Sequence, residues 1–314
     1  MKIFNYFKLL QIEETKQNIP LAMDTPRVAQ QNLKAARCLW QNRFYPEAVF
    51  FLQQGIEKGI KSYGYYSGIF DEEIVIKKVK HQGALMYEYA AKKYKERIAQ
   101  IKQNSENYNP FSIIDKLEIP YFSGLEQKAE EVLEKLNVLK LKTQKKLSNE
   151  EFNKYLIKVK KQESDAQSIE SLLWDTSKTS QIATQFREMG TTERKRILNR
   201  LKWINPHDFR TKYRISDGIA SILKNAADED IKKMLTFLYY EIYGLSALLA
   251  LAILTQPHES DSRYPNSRNK FNPLNYYTDD LLLIKEFDNI CPIAQKRLDL
   301  IDHLFTEYGA GWNL

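Results

Sequence analysis

The sequence predicts an all-α fold: an antiparallel helical bundle interrupted by a helical insertion. Three observations carry this. Apolar residues recur at helical spacing in two long runs. One is Ala48, Phe51, Leu52, Gly55, Ile56, Gly59, Ile60 and Tyr63; the other is Leu283, Phe287, Ile290, Ala294, Leu298, Ile301 and Phe305. Only 11 Gly and 10 Pro punctuate 314 residues, too few for the tight turns of a sandwich or barrel. No strand pattern is evident anywhere. With 43% hydrophobic and 28% charged residues, the chain belongs to the globular class and can bury a sizeable core.

Residues 1–24 read as an N-terminal arm. Asp24-Thr25-Pro26 gives a helix start, with Thr25 as N-cap and Pro26 in the first turn. That helix runs to about Asn42 with Leu33, Ala36, Leu39 and Trp40 apolar. A short turn then leads into a helix over 46–63, so the two form an antiparallel hairpin. Pro46 suits the first turn of the second helix and Gly64 its stop. Gln53, Glu57 and Lys61 make a polar row four residues apart, with Glu57 placed to pair with Lys61. Gly55 and Gly59 each cost about 1 kcal/mol in a helix interior relative to Ala. Their shared face therefore predicts close approach of another helix, from the bundle or from a second copy. A short helix follows around Glu72–Lys78, and His81 opens another with Leu85, Met86, Tyr89 and Ala90 apolar.

From Lys92 to Asp230 the chain holds 27 Lys and Arg against 21 Asp and Glu, six of the formal net charge of +7. This insertion, residues 92–231, reads as helices over Gly124–Gln144, Ser148–Lys161, Ser168–Glu188 and Thr192–Ile204, with a loop over Ser105–Phe122. The lysine-rich run Leu139–Lys161 reads either as an exposed helical hairpin or simply as a solvated face. Between Thr192 and Arg214, eight cations, among them Arg194, Arg196, Arg200, Lys202 and Arg210, face only Glu193 and Asp208. Trp203, Phe209 and Tyr213 lie among them. Arginine pairs with phosphate bidentately and aromatics stack on unpaired bases, so this stretch is a candidate for single-stranded RNA. The other reading is a surface helix anchored by Trp203 and Phe209.

Asp228–Thr255 returns to the bundle as a long helix. Its part from Met234 to Thr255 is long enough to span a bilayer. Glu241 inside it would cost about 2.5–3.5 kcal/mol there, so the expectation is a helix buried on all sides and no membrane. A polar loop over Gln256–Tyr277 carries His258, Glu259, Asp261, Arg263 and Arg268. Thr278 reads as the N-cap of the last helix, with Asp279 and Asp280 favourable in its first turn, and Pro292 is expected to kink or break that helix. Glu13 and Glu14 arrive too early for a signal peptide. Cys38 and Cys291 are isolated, which suits a reducing cytoplasm. Neither a metal-ligand spacing nor a cofactor motif appears: no phosphate-cradling Gly-rich loop, no HExxH and no GxSxG.

Ala48, Gln53, Gln54, Glu57, Lys58 and Lys61 follow the second-helix pattern A-x-x-x-x-Q-Q-x-x-E-K-x-x-K. Val79-Lys80-His81, then Ser262–Asn266 (SRYPN) and Asn275–Asp280 (NYYTDD), follow in order. In these features the chain resembles the HEPN family over residues 25–91 and 232–309, with Lys80 where that family has Gly. The resemblance implies a HEPN-like bundle, usually dimeric, that binds a nucleotide or nucleic acid in a defence or toxin–antitoxin setting. A nucleotidyltransferase-type partner belongs to that setting. By the same resemblance the ligand-binding candidates are Arg263, His81, Glu57 and Lys61. His81 equally suits a local cap, and Arg263 equally suits a clamp on a carboxylate such as Glu259. Many HEPN proteins are metal-independent ribonucleases carrying Arg-x(4–6)-His. Two windows have that spacing, Arg200 with His207 and Arg297 with His303, both with Leu where a polar residue should follow the Arg. The enzyme reading is therefore the alternative, and a non-catalytic helical adaptor for a protein partner is a third.

Overall fold

The computed structural model describes residues 18–67, 72–75, 77, 86–87, 90, 147–174, 180, 183–184, 187–188, 191, 245–266 and 270–308. Among these, every regular element is a helix, and the only β pairing is an isolated antiparallel bridge between Asn266 and Phe271. The chain is all-α. It divides into two compact units. One comprises Glu14–Lys95, Gln127–Ala166 and Tyr240–Leu314; the other comprises Met1–Glu13, Glu96–Glu126 and Gln167–Tyr239.

In the first unit, α1 (Ile19–Gln41) and α2 (Tyr45–Ser67) form a hairpin that packs on α5 (Leu245–Thr255) and α8 (Phe287–Tyr308). Helix α1 starts six residues before the expected Thr25 cap. Asn18 caps it, its Oδ1 accepting from Leu21 N at 3.2 Å, and Pro20 sits in the first turn. Pro26 thus lies inside a helix, where its missing N–H leaves the carbonyl of Ala22 without its usual donor. The fully buried Ser62 hydroxyl of α2 donates to that carbonyl at 2.8 Å. A tertiary contact thereby offsets a local defect that reads, in sequence, as a helix start. At the other end Arg43 takes φ 63°, Arg43 N bonds Trp40 O and Phe44 N bonds Leu39 O, a Schellman closure of α1.

Helix α2 runs past Gly64 to Ser67. Its two interior glycines are both contact points inside the bundle. A Cβ on Gly55 would come within 2.5 Å of Leu33 Cδ2 and 3.2 Å of the Ala29 carbonyl, both in α1. A Cβ on Gly59 would overlap Leu298 Cδ2 of α8 and lie 3.0 Å from Leu248 Cδ1 of α5. All described side chains of α5 are buried, as expected for a helix surrounded by others. Among the described residues no helix is long and apolar enough to cross a membrane.

Of the lysine-rich run, residues 139–146 lie outside the described residues, and the rest opens one helix with a solvated charged face. Helix α4 (Asn149–Trp174) opens with a capping box: Ser148 N donates to Glu151 Oε2 at 3.0 Å and Glu151 N to Ser148 Oγ at 3.2 Å. Phe152, Tyr155, Leu156 and Val159 are buried, while Lys154, Lys160 and Lys161 are exposed. Helical spacing sorts the run into an apolar face and a charged one. Residues 149–166 lie in the bundle's unit, where Lys160 pairs with Glu286 at 3.0 Å and Glu163 pairs with Lys296 at 3.0 Å and with Arg297.

After α5 the chain makes one 3-10 turn (Gln256–His258) and a short helix α6 (Pro273–Tyr276), capped by Asn272, within the expected loop. Thr278 does not cap the last helix. It accepts Leu281 N in a turn, a separate helix α7 (Leu282–Lys285) follows, and α8 begins at Phe287. Pro292 does not break α8. Pro292 and Asp288, whose carbonyl it leaves without a helical donor, are both exposed, so water reaches that carbonyl. Trp40 stacks on Phe287 at 5.4 Å and donates its indole N–H to Ile284 O at 3.2 Å, tying α1 to this corner. The short helix expected around Glu72–Lys78 is α3 (Glu72–Ile74). The second unit has buried Ala183 and backbone-directed threonines, Thr184 Oγ1 on Ser180 O and Thr191 Oγ1 on Arg187 O, both at 3.0 Å.

Candidate functional site

The polar row of α2 lies on a largely buried face. Helical spacing brings Gln53, Gln54, Glu57, Lys58 and Lys61 into one connected network. Lys61 Nζ donates to Glu57 Oε1 at 2.7 Å, and Gln53 Nε2 to Glu57 Oε2 at 3.1 Å. Gln54 Nε2 bridges Gln53 Oε1 at 2.8 Å and Glu57 Oε2 at 3.3 Å, and its own oxygen accepts from Lys58 at 3.1 Å. Gln53 is fully buried and Glu57 nearly so. A carboxylate so placed is tolerable because a cation and two amides satisfy it. Burial, then the neighbouring Lys61 charge, lowers the Lys58 pKa, while Glu57 opposes both.

The segment that follows α5 packs against this helix. Glu259 accepts from Gln256 Nε2 at 2.5 Å. Burial pushes its carboxyl pKa up, the Gln256 hydrogen bond opposes this, Glu57 raises it further, and Arg263 and Lys61 pull it down. Arg263 is exposed. It does not clamp the Glu259 carboxylate. Its Nε donates to the Glu259 backbone carbonyl at 3.2 Å, closing a turn. The guanidinium lies 5.2 Å from the ring centre of Phe50 and 5.3 Å from that of Tyr264, within cation–π range of both. The Tyr264 ring is 63% exposed. Earlier in the same segment, buried His258 meets the Tyr277 hydroxyl at 3.1 Å through Nδ1. Burial, then Asp261 and Tyr276, hold the Tyr277 hydroxyl well above its usual range.

Of the ligand-binding candidates, Glu57, Lys61 and Arg263 all act electrostatically on Glu259. His81 lies outside the described residues. So do Arg200 and His207, and the candidate nucleic-acid stretch with Arg194, Arg196, Lys202, Trp203 and Arg210. Arg297 is fully buried, its guanidinium bonded to Glu163. His303 lies six residues further along α8, about 120° around the helix axis, so the helix does not aim the two at one point. Sequence reasoning passed over Phe50, Gln256 and Tyr87 as site residues, since nothing in their local spacing marks them. Tyr264 stood within the SRYPN stretch without a role. Among the described residues, no three His, Cys, Asp or Glu side chains are grouped to hold a metal ion.

Compared with protein-family models, with curated proteins and with solved structures, the chain shows no match.

Proposed function

We propose that this chain binds a nucleotide, free or as a unit of single-stranded RNA, on the face formed by Arg263, Tyr264 and the adjoining polar row of α2. The observation that carries this is the presentation of Arg263. Its guanidinium is exposed, anchored through Nε to the chain's own backbone, and set over two aromatic rings. That anchoring leaves the two terminal nitrogens for a phosphate and lowers the entropy lost on binding one. The exposed Tyr264 ring offers a stacking surface for a base. Lys58 and Lys61 on the neighbouring helix add positive potential. The resemblance to HEPN proteins supports the same region, since Arg263, Glu57 and Lys61 are the positions it singles out. A dimer is part of this proposal and is read by sedimentation of the full chain.

The test is calorimetric titration of the full chain with mononucleotides, alongside fluorescence anisotropy with a labelled single-stranded RNA. Arg263→Ala and Tyr264→Ala should each weaken binding about ten-fold or more. Arg263→Ala should also reduce the salt slope for RNA by about one phosphate contact. If neither ligand class binds at low salt, or if both variants bind as wild type does, the proposal is wrong.

A further inference from the structure

Arg263 is held at one point by its own turn and at a second by a residue remote in the chain. The first is the hydrogen bond from its Nε to the Glu259 carbonyl at 3.2 Å. One hydrogen bond fixes one atom and leaves the guanidinium plane free to swing about it. Tyr264 is the next residue and 63% exposed, so its ring travels with the turn and ties it to nothing else. Phe50 stands on α2 instead. Its ring centre lies 5.2 Å from the guanidinium carbon. The ring is half-buried and set edge-on to Phe51 at 5.3 Å, so its own position is constrained.

Phe50 also occupies the side of α2 that carries the polar row. Gln54, Glu57, Lys58 and Lys61 follow it by 4, 7, 8 and 11 residues, spacings that keep side chains on one side of an α-helix. The 3-10 turn before Arg263 and helix α6 after it both pack on α2. A ring face attracts a guanidinium through its quadrupole, and an aliphatic side chain of similar size does not. We propose that Phe50 is a positioning residue for nucleotide binding: its ring holds the Arg263 guanidinium in one orientation over α2, with the terminal nitrogens aligned for a phosphate beside the polar row. The inference rests on the nucleotide-binding reading above and adds to that face a residue that acts through Arg263.

The experiment is fluorescence anisotropy of a labelled oligouridine with the full chain at low salt. Phe50→Leu should weaken binding about three-fold. Phe50→Tyr keeps the ring and should bind as wild type does. In the Arg263→Ala background Phe50→Leu should change nothing further, whereas a general loss of packing would add its own effect. Phe50→Leu equal to wild type, while Arg263→Ala weakens binding, overturns the inference and leaves the nucleotide reading intact. A Phe50→Leu effect that persists in full without Arg263 does the same. A second measurement needs no Phe50 variant to fold. In Tyr264→Ala, nuclear magnetic resonance of the free chain should find the Arg263 side-chain protons shifted upfield by the Phe50 ring, and unshifted protons overturn the inference. If wild type binds neither the oligouridine nor AMP, both this inference and the reading beneath it fall.

Discussion

Two half-buried carboxyls in one unit are shifted in opposite senses, because one has cations in contact and the other, among the described residues, has none. At Glu163, burial alone would raise the pKa. The Arg297 charge, the Lys296 hydrogen bond and the bonds from Arg297 outweigh it and hold the carboxyl below its usual range. Its contribution to stability is present above the ordinary carboxylate range and lost as pH falls through the lowered value. Glu259 is raised by burial and by Glu57, so the fold favours its protonated form. Stability from this group is therefore full below the ordinary carboxylate range and declines as pH rises through the raised value. Glu259→Gln should flatten that part of a melting-temperature profile taken between mildly acid and neutral pH. A decline that stays equally steep in the variant would mean that another group sets it.

Arg297 also sets a test of its role. Replacing it with Met leaves Glu163 largely buried with Lys296 still beside it. Breaking a buried pair in this way costs about 3–5 kcal/mol, and the remaining Lys296 contact places the expected loss near the lower end. The double change Arg297→Met with Glu163→Leu should recover most of that loss by removing both charges, as urea denaturation would read. Little loss in the single variant would argue that Arg297 is held for something other than this pair.

At the scale of elements, the bundle depends on how closely α2 approaches its neighbours. Helices meet at 8–10 Å when side chains separate them, and less when a glycine faces the contact. Gly55 meets Leu33 and the backbone of α1. The backbone cannot give way as the end of a side chain can. Gly55→Leu should overpack that contact at a cost of about 1–3 kcal/mol. The change should lower the melting temperature without altering sedimentation, since the close approach is internal. An unchanged melting temperature would show that α1 is free to move outward. Helix α4 makes a related point. Its buried row Phe152, Tyr155, Leu156 and Val159 gives it a packing face, while Lys154, Lys160 and Lys161 lie on its exposed side.

For the whole molecule, the excess charge lies between Lys92 and Asp230. Within it the stretch from Thr192 to Arg214 is the strongest basic concentration. If it contributes to RNA binding, replacing Arg194, Arg196 and Arg200 together by Gln should reduce both affinity and salt slope, as each lost phosphate contact releases fewer counterions. Circular dichroism should show helicity retained. The same affinity in wild type and triple variant across a salt series would confine any RNA binding to the Arg263 face.

The all-α class and the burial of α5 were legible because they follow from periodicity and composition, which every residue of a helix reports at once. The pairing of Glu57 with Lys61 was legible for the same reason, as the partners are four residues apart on one helix. What sequence could not show are features whose partner is remote in the chain. Thr25-Pro26 carries every local mark of a helix start, yet the helix runs through it because Ser62, 40 residues away, donates to the carbonyl that Pro26 leaves open. Glu163 reads as one more charge on a lysine-rich helix until Arg297 reaches it from α8. Glu259 reads as a loop carboxylate until packing brings it near Glu57 and Tyr87. Local spacing encodes which face a residue occupies. Which charge or unsatisfied group lies opposite is decided only when the helices pack, since desolvation and Coulomb terms depend on distance through space and not along the chain.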